Sequence, residues 1–343
     1  MSHPAPPDQS PATPAESRLP RSFFCDEAGT VTRNLDLREL AACARQGKGT
    51  LWVDVDASAR QQVALLEKVF GFHALAIEDV LNPSSRVKVE EYDDFLFVVL
   101  REVRIDEATD DPYDLHTANL YFFIGANYLV TAHRGTTRHI DAVADVVNRS
   151  PDMLRRSPAR LAHQIMDEAV DAFFPLLDWV DEFLDTLEER IFEQFDQSAL
   201  RDIFAVKRMV LSLRRYLAPE REIFNVLTNR PSRLLPPEVQ LYYRDIYDHV
   251  LRINDSLETY RDLLSSTLES YLSQVSNQLG RVTKGLTVVA TLSVPFVVVS
   301  GMWGMNLRGL PLAGHPLGFG IMLALQVGLA VALMWALRRK GLL

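Results

Sequence analysis

The sequence is poor in cysteine, in acidic residues near its end, and in proline over one long stretch. Only Cys25 and Cys43 occur among 343 residues. Two thiols make neither a disulfide framework nor a four-thiolate zinc site. The 36 basic and 45 acidic side chains give a net charge of −9. A generic nucleic-acid binder would carry a basic excess instead, so nucleic acid is not an expected partner. His73, His116, His133, His139, His163 and His249 are scattered. No nucleophile elbow, phosphate loop or zinc-protease spacing accompanies them, so neither an enzyme nor an organic cofactor is expected. The segment Met1 to Pro20 is rich in proline and has no apolar stretch. It is therefore not a signal peptide, and a disordered tail is expected over 1–21.

A mean hydropathy of −0.01 describes a soluble protein, but the distribution does not. Residues 281–343 contain Arg281, Lys284, Arg308, Arg338, Arg339 and Lys340 and no Asp or Glu, a charge of +6. All 45 acidic groups therefore precede Arg281, and that part of the chain is strongly negative. The same tail carries two uncharged runs, from Gly285 to Leu307 and from Gly309 to Leu337. About 20 helical residues cross a ~30 Å hydrocarbon core, and both runs exceed that length. Membrane spans are expected at about 286–305 and 317–337, within a transmembrane domain over 281–343. Basic residues flank the pair on its outer sides, and only Arg308 lies between. The positive-inside rule then predicts both termini in the cytoplasm and the connecting loop outside, in a bacterial-type plasma membrane.

Residues 22–150 mix helix and strand signals. Thr50–Val55, Phe95–Val103, Thr117–Ile124 and Tyr128–His133 are short, β-rich segments, the last two joined as a hairpin through Gly125-Ala126-Asn127. Leu37–Gln46, Arg60–Phe70 and Ala74–Leu81 are predicted helices, the last stopped by Asn82-Pro83. The fold class is an α+β domain, a mixed sheet with flanking helices. A helical region over 151–280 follows. Its residues Asp178, Asp181, Glu182, Asp185, Glu188 and Glu189 recur at spacings of three and four, either as a solvated face or as a surface that concentrates cations. Pro175 is expected to kink this segment, and Lys207, Arg208, Arg214 and Arg215 are expected to pair with the acidic arm. From Glu238 to Val294 the chain then contains no proline. Ile246, Val250, Ile253, Leu257, Leu264, Leu268 and Tyr271 space an apolar stripe along a stalk helix that runs into the first span and is expected to pack on copies of itself. Two spans enclose no pore, so transport requires an oligomer. Ser273, Ser276, Gly280, Thr283, Thr287, Ala290 and Val294 form one small or hydroxyl-bearing stripe, which suits close helix packing and pore lining equally.

Gly304-Met305-Asn306 at the end of the first span, with Leu51-Trp52-Val53-Asp54, Ala76-Ile77-Glu78-Asp79, Tyr121-Phe122, the run Tyr243 to His249, and Tyr271-Leu272-Ser273 to Ser276-Asn277, resembles the CorA-type divalent-cation transporters over residues 22–343. The resemblance implies a funnel-shaped homopentamer in membrane lipid that moves Mg²⁺ and Co²⁺. It implies a selectivity filter of Gly304, Met305 and Asn306, with Asn306 as a ring at the outer mouth. Neutral amide oxygens can hold a hydrated Mg²⁺ without stripping its water. Pore positions would be Gly280, Thr283, Leu286, Thr287, Ala290 and Val294, with Leu286 an apolar constriction. Gly280 departs from the asparagine common in magnesium-type members. The resemblance further implies a regulatory cytoplasmic metal site between subunits, with Glu78 and Asp79 on one side and Asp245 and His249 on the other. Read without the family, Glu78-Asp79 is a helix-end pair and Asp245 a salt-bridge partner of Arg244 or Arg252. The outer loop Leu307 to Pro316 has no carboxylate where magnesium-type members commonly carry Met-Pro-Glu. Its Gly309-Leu310-Pro311 resembles the zinc-transporting (ZntB-like) branch, with proton coupling left open. A membrane-anchored metal sensor or scaffold without conduction is the alternative of a different class.

Overall fold

The computed structural model describes residues 19–106, 109, 111, 113–150, 152–191, 198–305 and 315–339. Two compact units divide the chain: residues 1–187 with 201–265, and residues 188–200 with 266–343.

The first unit is built on a sheet of seven strands: β1 (Arg21–Cys25), β2 (Val31–Arg33), β3 (Thr50–Asp56), β4 (Lys88–Glu91), β5 (Phe95–Ile105), β6 (Leu115–Gly125) and β7 (Tyr128–His133). Their order is β2-β1-β3-β7-β6-β5-β4. Only β3 and β7 pair in parallel, Val53 opposite Val130; the other neighbours are antiparallel. The mixed sheet is thus present, and the β6–β7 hairpin turns where the sequence places it. Gly125 is required there, because a Cβ would lie 2.4 Å from the Tyr128 ring.

Helices α1 (Leu37–Gln46), α2 (Arg60–Lys68) and α3 (Ala74–Leu81) cover one face. Leu40, Leu66, Phe72, Ala76 and Val80 pack there on Val53, Phe97, Tyr121 and Phe123. α4 (Arg138–Arg149), α5 (Asp152–Arg156) and α6 (Pro158–Asp171) follow in the chain, and α6 crosses β3, β5, β6 and β7. Burial of both faces explains why Leu51–Val55, Phe95–Leu100 and Leu120–Ile124 are near-continuous apolar runs and not alternating ones. β1 is pinned by an ionic network. Arg21 donates to Asp54 at 2.8 Å and to Asp141 of α4 at 2.9 Å, and Thr131 donates to Asp54 at 2.7 Å. Burial opposes the charge on Asp54, but His133, Arg21 and Thr131 together hold its carboxyl below the ordinary value.

The chain then turns helical, with α7 (Phe174–Glu189), α8 (Ala199–Asn229) and α9 (Pro237–Trp303). Pro175 does not kink a helix. It is the second residue of α7, where its missing N–H would have no intrahelical acceptor anyway. Asp178, Asp181, Glu182, Asp185 and Glu189 are exposed and Leu177, Val180, Leu184 and Leu187 are buried, so α7 is amphipathic. Two of the basic residues of α8 meet α9: Lys207 donates to Ser265 at 2.9 Å, and Arg214 lies 3.6 Å from Glu258. α9 starts at Pro237 and runs 67 residues, about 100 Å at ~1.5 Å per residue. Its stripe Tyr243, Ile246, Val250, Ile253, Leu257 and Leu264 is fully buried within the protomer. The expectation that this stripe waits for another copy is corrected up to Leu264, because helices of the same chain cover it.

The second unit holds the rest of α9 and α10 (Gly318–Arg339). Their most apolar 18-residue windows have mean hydropathies of 1.9 and 2.1, and none of either window is buried. A helical hairpin in a soluble core would be mostly buried, so that explanation fails. Leu286, Val297, Phe319 and Trp335 are between 62% and 74% exposed, an apolar surface that water does not tolerate and lipid does. Gln326 of α10 donates to Ser300 of α9 at 3.3 Å, a polar link between the spans.

One buried carboxyl yields a prediction. Glu220, in α8 after the internal Pro219, accepts the Arg101 backbone N–H at 2.8 Å. Burial pushes it up to about 8, with the Arg101 bond and charge opposing. Between roughly pH 4.5 and 8 the folded chain therefore retains a proton that the unfolded chain has released. Stability should fall as pH rises through that window. Glu220→Gln should flatten the dependence by up to one proton, as read from denaturation midpoints between pH 5 and 8.

Candidate conduit and cytoplasmic metal site

The positions expected to line a conduit lie on the part of α9 that belongs to the second unit. Gly280, Thr283, Leu286, Thr287, Ala290 and Val294 are all exposed in the protomer. Gly280, Thr283 and Thr287 line a groove of about 530 Å³ whose far side includes Leu337 of α10. Leu286, Ala290 and Val294 do not line it. A Cβ on Gly280 would meet nothing within 4 Å, so packing inside one protomer gives no reason for glycine there. Thr287 donates its hydroxyl to the Thr283 carbonyl at 2.8 Å. Its proton is thereby committed, and its oxygen can only accept.

α9 ends at Trp303, and Gly304 and Met305, the first residues of the expected filter, lie in the turn that closes it. Gly304 N–H bonds the Ser300 carbonyl at 2.9 Å and Met305 N–H bonds the Met302 carbonyl at 3.3 Å. A Cβ on Gly304 would sit 3.3 Å from the Ser300 oxygen, so the turn is tight at that residue. Asn306, and the loop residues as far as 314, lie outside the described residues.

In the first unit, Glu78 and Asp79 sit near the C-terminal end of α3, with Glu78 exposed. Asp79 is partly neutralised within its own chain. Its Oδ2 lies 2.7 Å from Lys88 Nζ, and Ser85 donates to its Oδ1 at 3.1 Å. Asp245 and His249 lie one helical turn apart on α9, Asp245 exposed and His249 half-buried. His249 Nδ1 is 3.0 Å from Asp171 Oδ1. Asp167, Asp171 and His249 each offer a ligand atom within 4.8 Å of the others, the one such group of three among the described residues. Asp167 and Asp171 are one turn apart on α6, and that spacing of two carboxylates is the signal the sequence carries for a pair that becomes a cluster only with His249. One protomer thus joins His249 to α6 and leaves Asp79 with Lys88 and Ser85.

Buried polar bonds fix α6 against α9. Tyr243 donates its hydroxyl to the Ala159 carbonyl at 2.8 Å, and His163 Nε2 lies 3.1 Å from the Tyr242 carbonyl. A carbonyl only accepts, so His163 carries its proton on Nε2. Burial, with Arg160 adding to it, lowers His163 to about 4, and the ring is neutral at pH 7. The cluster that this clamp positions is electrostatically loaded. Asp167 Oδ1 is buried without a hydrogen bond. Burial, then the charges of Asp171 and Asp245, push its carboxyl up to about 6, while His249 opposes the shift. Two carboxylate oxygens and an imidazole nitrogen form a donor set for a divalent cation. A cation there would supply the counter-charge that Asp167 lacks.

The chain is similar to known proteins along most of its length. The model of the family described as "CorA-like Mg2+ transporter protein" matches residues 47–339. The cobalt/magnesium transport protein CorA of Thermotoga maritima is 29% identical over 298 residues, 86% of this chain and 84% of that protein. Among solved structures, the complete CorA magnesium transporter of Methanocaldococcus jannaschii superposes with a TM-score of 0.81 at 21% identity, over 95% of this chain and 99% of that one. The cytoplasmic domain of ZntB from Vibrio parahaemolyticus gives a TM-score of 0.57 at 17% identity, over 76% and 99% of the two chains.

The Asp167, Asp171 and His249 cluster makes a pH-dependent prediction. A cation on Asp167 competes with its proton, so Co²⁺ affinity at this site should weaken as pH falls through about 6. Isothermal titration at pH 5, 6 and 7.5 checks this, and Asp171→Asn should remove most of the binding at every pH. A chain whose helices α9 and α10 expose uncovered apolar surface after a sheet domain, and whose residues 47–339 fit this family's model, belongs to the CorA-like Mg²⁺ transporter family and is a membrane transporter, not an enzyme.

Proposed function

We propose that this chain assembles as a homopentamer in the plasma membrane and conducts Mg²⁺, and Co²⁺ with it, through a pore lined by α9. The observation that carries the proposal is the match to the CorA-like family across a chain whose first span ends in Gly304-Met305-Asn306. Five copies would place Asn306 as a ring of neutral amides at the outer mouth. Such a ring binds a hydrated Mg²⁺ weakly enough to release it. Gly280, Thr283, Leu286, Thr287, Ala290 and Val294 would line the path, with Leu286 as a constriction that closes by dewetting. Their exposure in the protomer is compatible with that role. Both termini would lie in the cytoplasm, since the basic residues flank the spans on that side.

Cytoplasmic metal would gate the pore. Glu78 and Asp79 of one subunit would face Asp245 and His249 of the next, and a bridging cation would hold carboxylates together that otherwise repel. The Asp167, Asp171 and His249 group supports a cation beside this part of α9.

A zinc conduit is the second reading. It is favoured by one observation, the absence of Asp and Glu from residues 307–316 together with Gly309-Leu310-Pro311. The likeness to the ZntB cytoplasmic domain concerns the fold alone and does not separate the two.

Purified protein in liposomes decides between them. Mg²⁺ and Co²⁺ uptake independent of a pH gradient is the expected outcome, and Zn²⁺ uptake that requires the gradient would establish the second reading. Asn306→Ala should abolish flux while the pentamer still elutes intact. Flux by none of the four ions Mg²⁺, Co²⁺, Ni²⁺ and Zn²⁺ would leave a membrane-anchored sensor as the function. For the gate, Asp79→Lys or Asp245→Lys should reduce the Mg²⁺ dependence of protease protection, and unaltered protection in both would remove these residues from it.

A further inference from the structure

The first unit holds a cavity of about 300 Å³ at the carboxyl end of β5, made of residues that the conduit does not use. Its polar lining is Glu102 and Arg104 from β5, Thr136 just before α4, and Arg138 and His139 from the start of α4. Ala172, Pro175 and Leu176, at the α6–α7 junction, give it an apolar wall. Glu102 is 4% exposed, and its Oε2 has no hydrogen-bond partner. His139 Nε2 is 3.7 Å away, too far for a hydrogen bond. An orphaned buried carboxyl oxygen is costly unless something else in the cavity meets it.

The amino end of α4 also lacks a side-chain cap. Its N-cap, Thr137, makes no side-chain hydrogen bond to the helix, and Thr137 Oγ1 is buried without a partner. The first N–H groups of a helix have no intrahelical acceptor and carry the positive end of its dipole. The acidic residue of that first turn, Asp141, is engaged by Arg21. Arg104 and Arg138 add positive charge beside the opening. Backbone donors, two guanidinium groups and an apolar wall form a site for an anion with an apolar body.

We propose that this cavity binds a small organic carboxylate of about the size of an aromatic ring, its charged end on the α4 amino terminus and Arg138, and one of its oxygens receiving a hydrogen bond from Glu102. Glu102 donates only when it is protonated. Burial pushes its carboxyl up to about 7, while Arg104 and His133 oppose the shift. The groups that face it are Arg104 on its own strand, His133 on β7, and Arg138 and His139 on α4. The α6–α7 wall contributes no titratable lining residue. Above about pH 7 the ionised Glu102 repels the ligand carboxylate, so binding weakens as pH rises.

The probe is 4-fluorobenzoate, followed by ¹⁹F line broadening on the full chain in detergent, with empty micelles as the blank. Wild-type protein should broaden the signal saturably at pH 6. Its affinity should fall toward tenfold per pH unit above about 7. Glu102→Gln, whose amide donates at every pH, should bind with a flat profile from pH 6 to 9. Arg138→Gln, a change at an exposed position, should weaken binding several-fold at all pH values. Absence of saturable broadening by the wild type at pH 6 would overturn the proposal. So would a Glu102→Gln variant that keeps the wild-type pH slope, or an Arg138→Gln variant with unchanged affinity.

Discussion

Backbone hydrogen bonding within a single continuous helix is the constraint on which the rest of this protein depends. Between its end turns, and apart from the break at Pro295, α9 satisfies its own N–H and C=O groups from Pro237 to Trp303 and needs no partner strand to do so. What changes along it is the covering of its side chains. From Tyr243 to Leu264 the apolar stripe is buried in the chain's own helices. From Leu279 onward, large apolar side chains such as Val282, Leu286 and Val289 are exposed. A helix is one of the few elements that can pass from a water-solvated protein into hydrocarbon without leaving polar backbone unpaired. Pro295 removes one backbone donor inside the apolar stretch, a loss that membrane helices tolerate through local adjustment and neighbouring groups.

Where α9 is covered, the covering is specific. Tyr243, His163 and the Arg214–Glu258 and Lys207–Ser265 contacts fix its register against α6 and α8. That register brings His249 to Asp171. The resulting cluster is not a relaxed set of ion pairs. Asp167 is desolvated, close to Asp171 and Asp245, and without a hydrogen bond on Oδ1. Carboxylates crowded in this way repel at neutral pH, and a divalent ion relieves the repulsion more fully than a lone imidazole does. Glu220 and Glu102 are strained differently, by burial without a counter-charge close enough to compensate. The acidic excess that precedes the spans is therefore uneven: the α7 carboxylates are solvated, while these few are held at a cost.

Much of the architecture is legible in the sequence because its causes are local. Uncharged runs after Gly285 and Gly309 mark the two apolar helices, and the proline-free stretch after Pro237 marks α9. β-rich runs broken at Gly125-Ala126-Asn127 mark the sheet, and Asn82-Pro83 marks the end of α3. The Gly304-Met305-Asn306 run that follows α9 is legible as a motif. These features depend on hydropathy, on the missing N–H of proline and on side-chain volume, each of which acts within a few residues. The tertiary structure decided the remainder. The strand order that sets β3 beside β7, the covering of α9 as far as Leu264, and the engagement of Asp79 by Lys88 all depend on contacts beyond the reach of a local pattern. The union of Asp171 with His249 spans 78 positions. Periodicity shows which residues share a face of a helix, but not which neighbour that face meets. Only folding supplied the partner, because burial and Coulomb energy depend on distance in space and not along the chain.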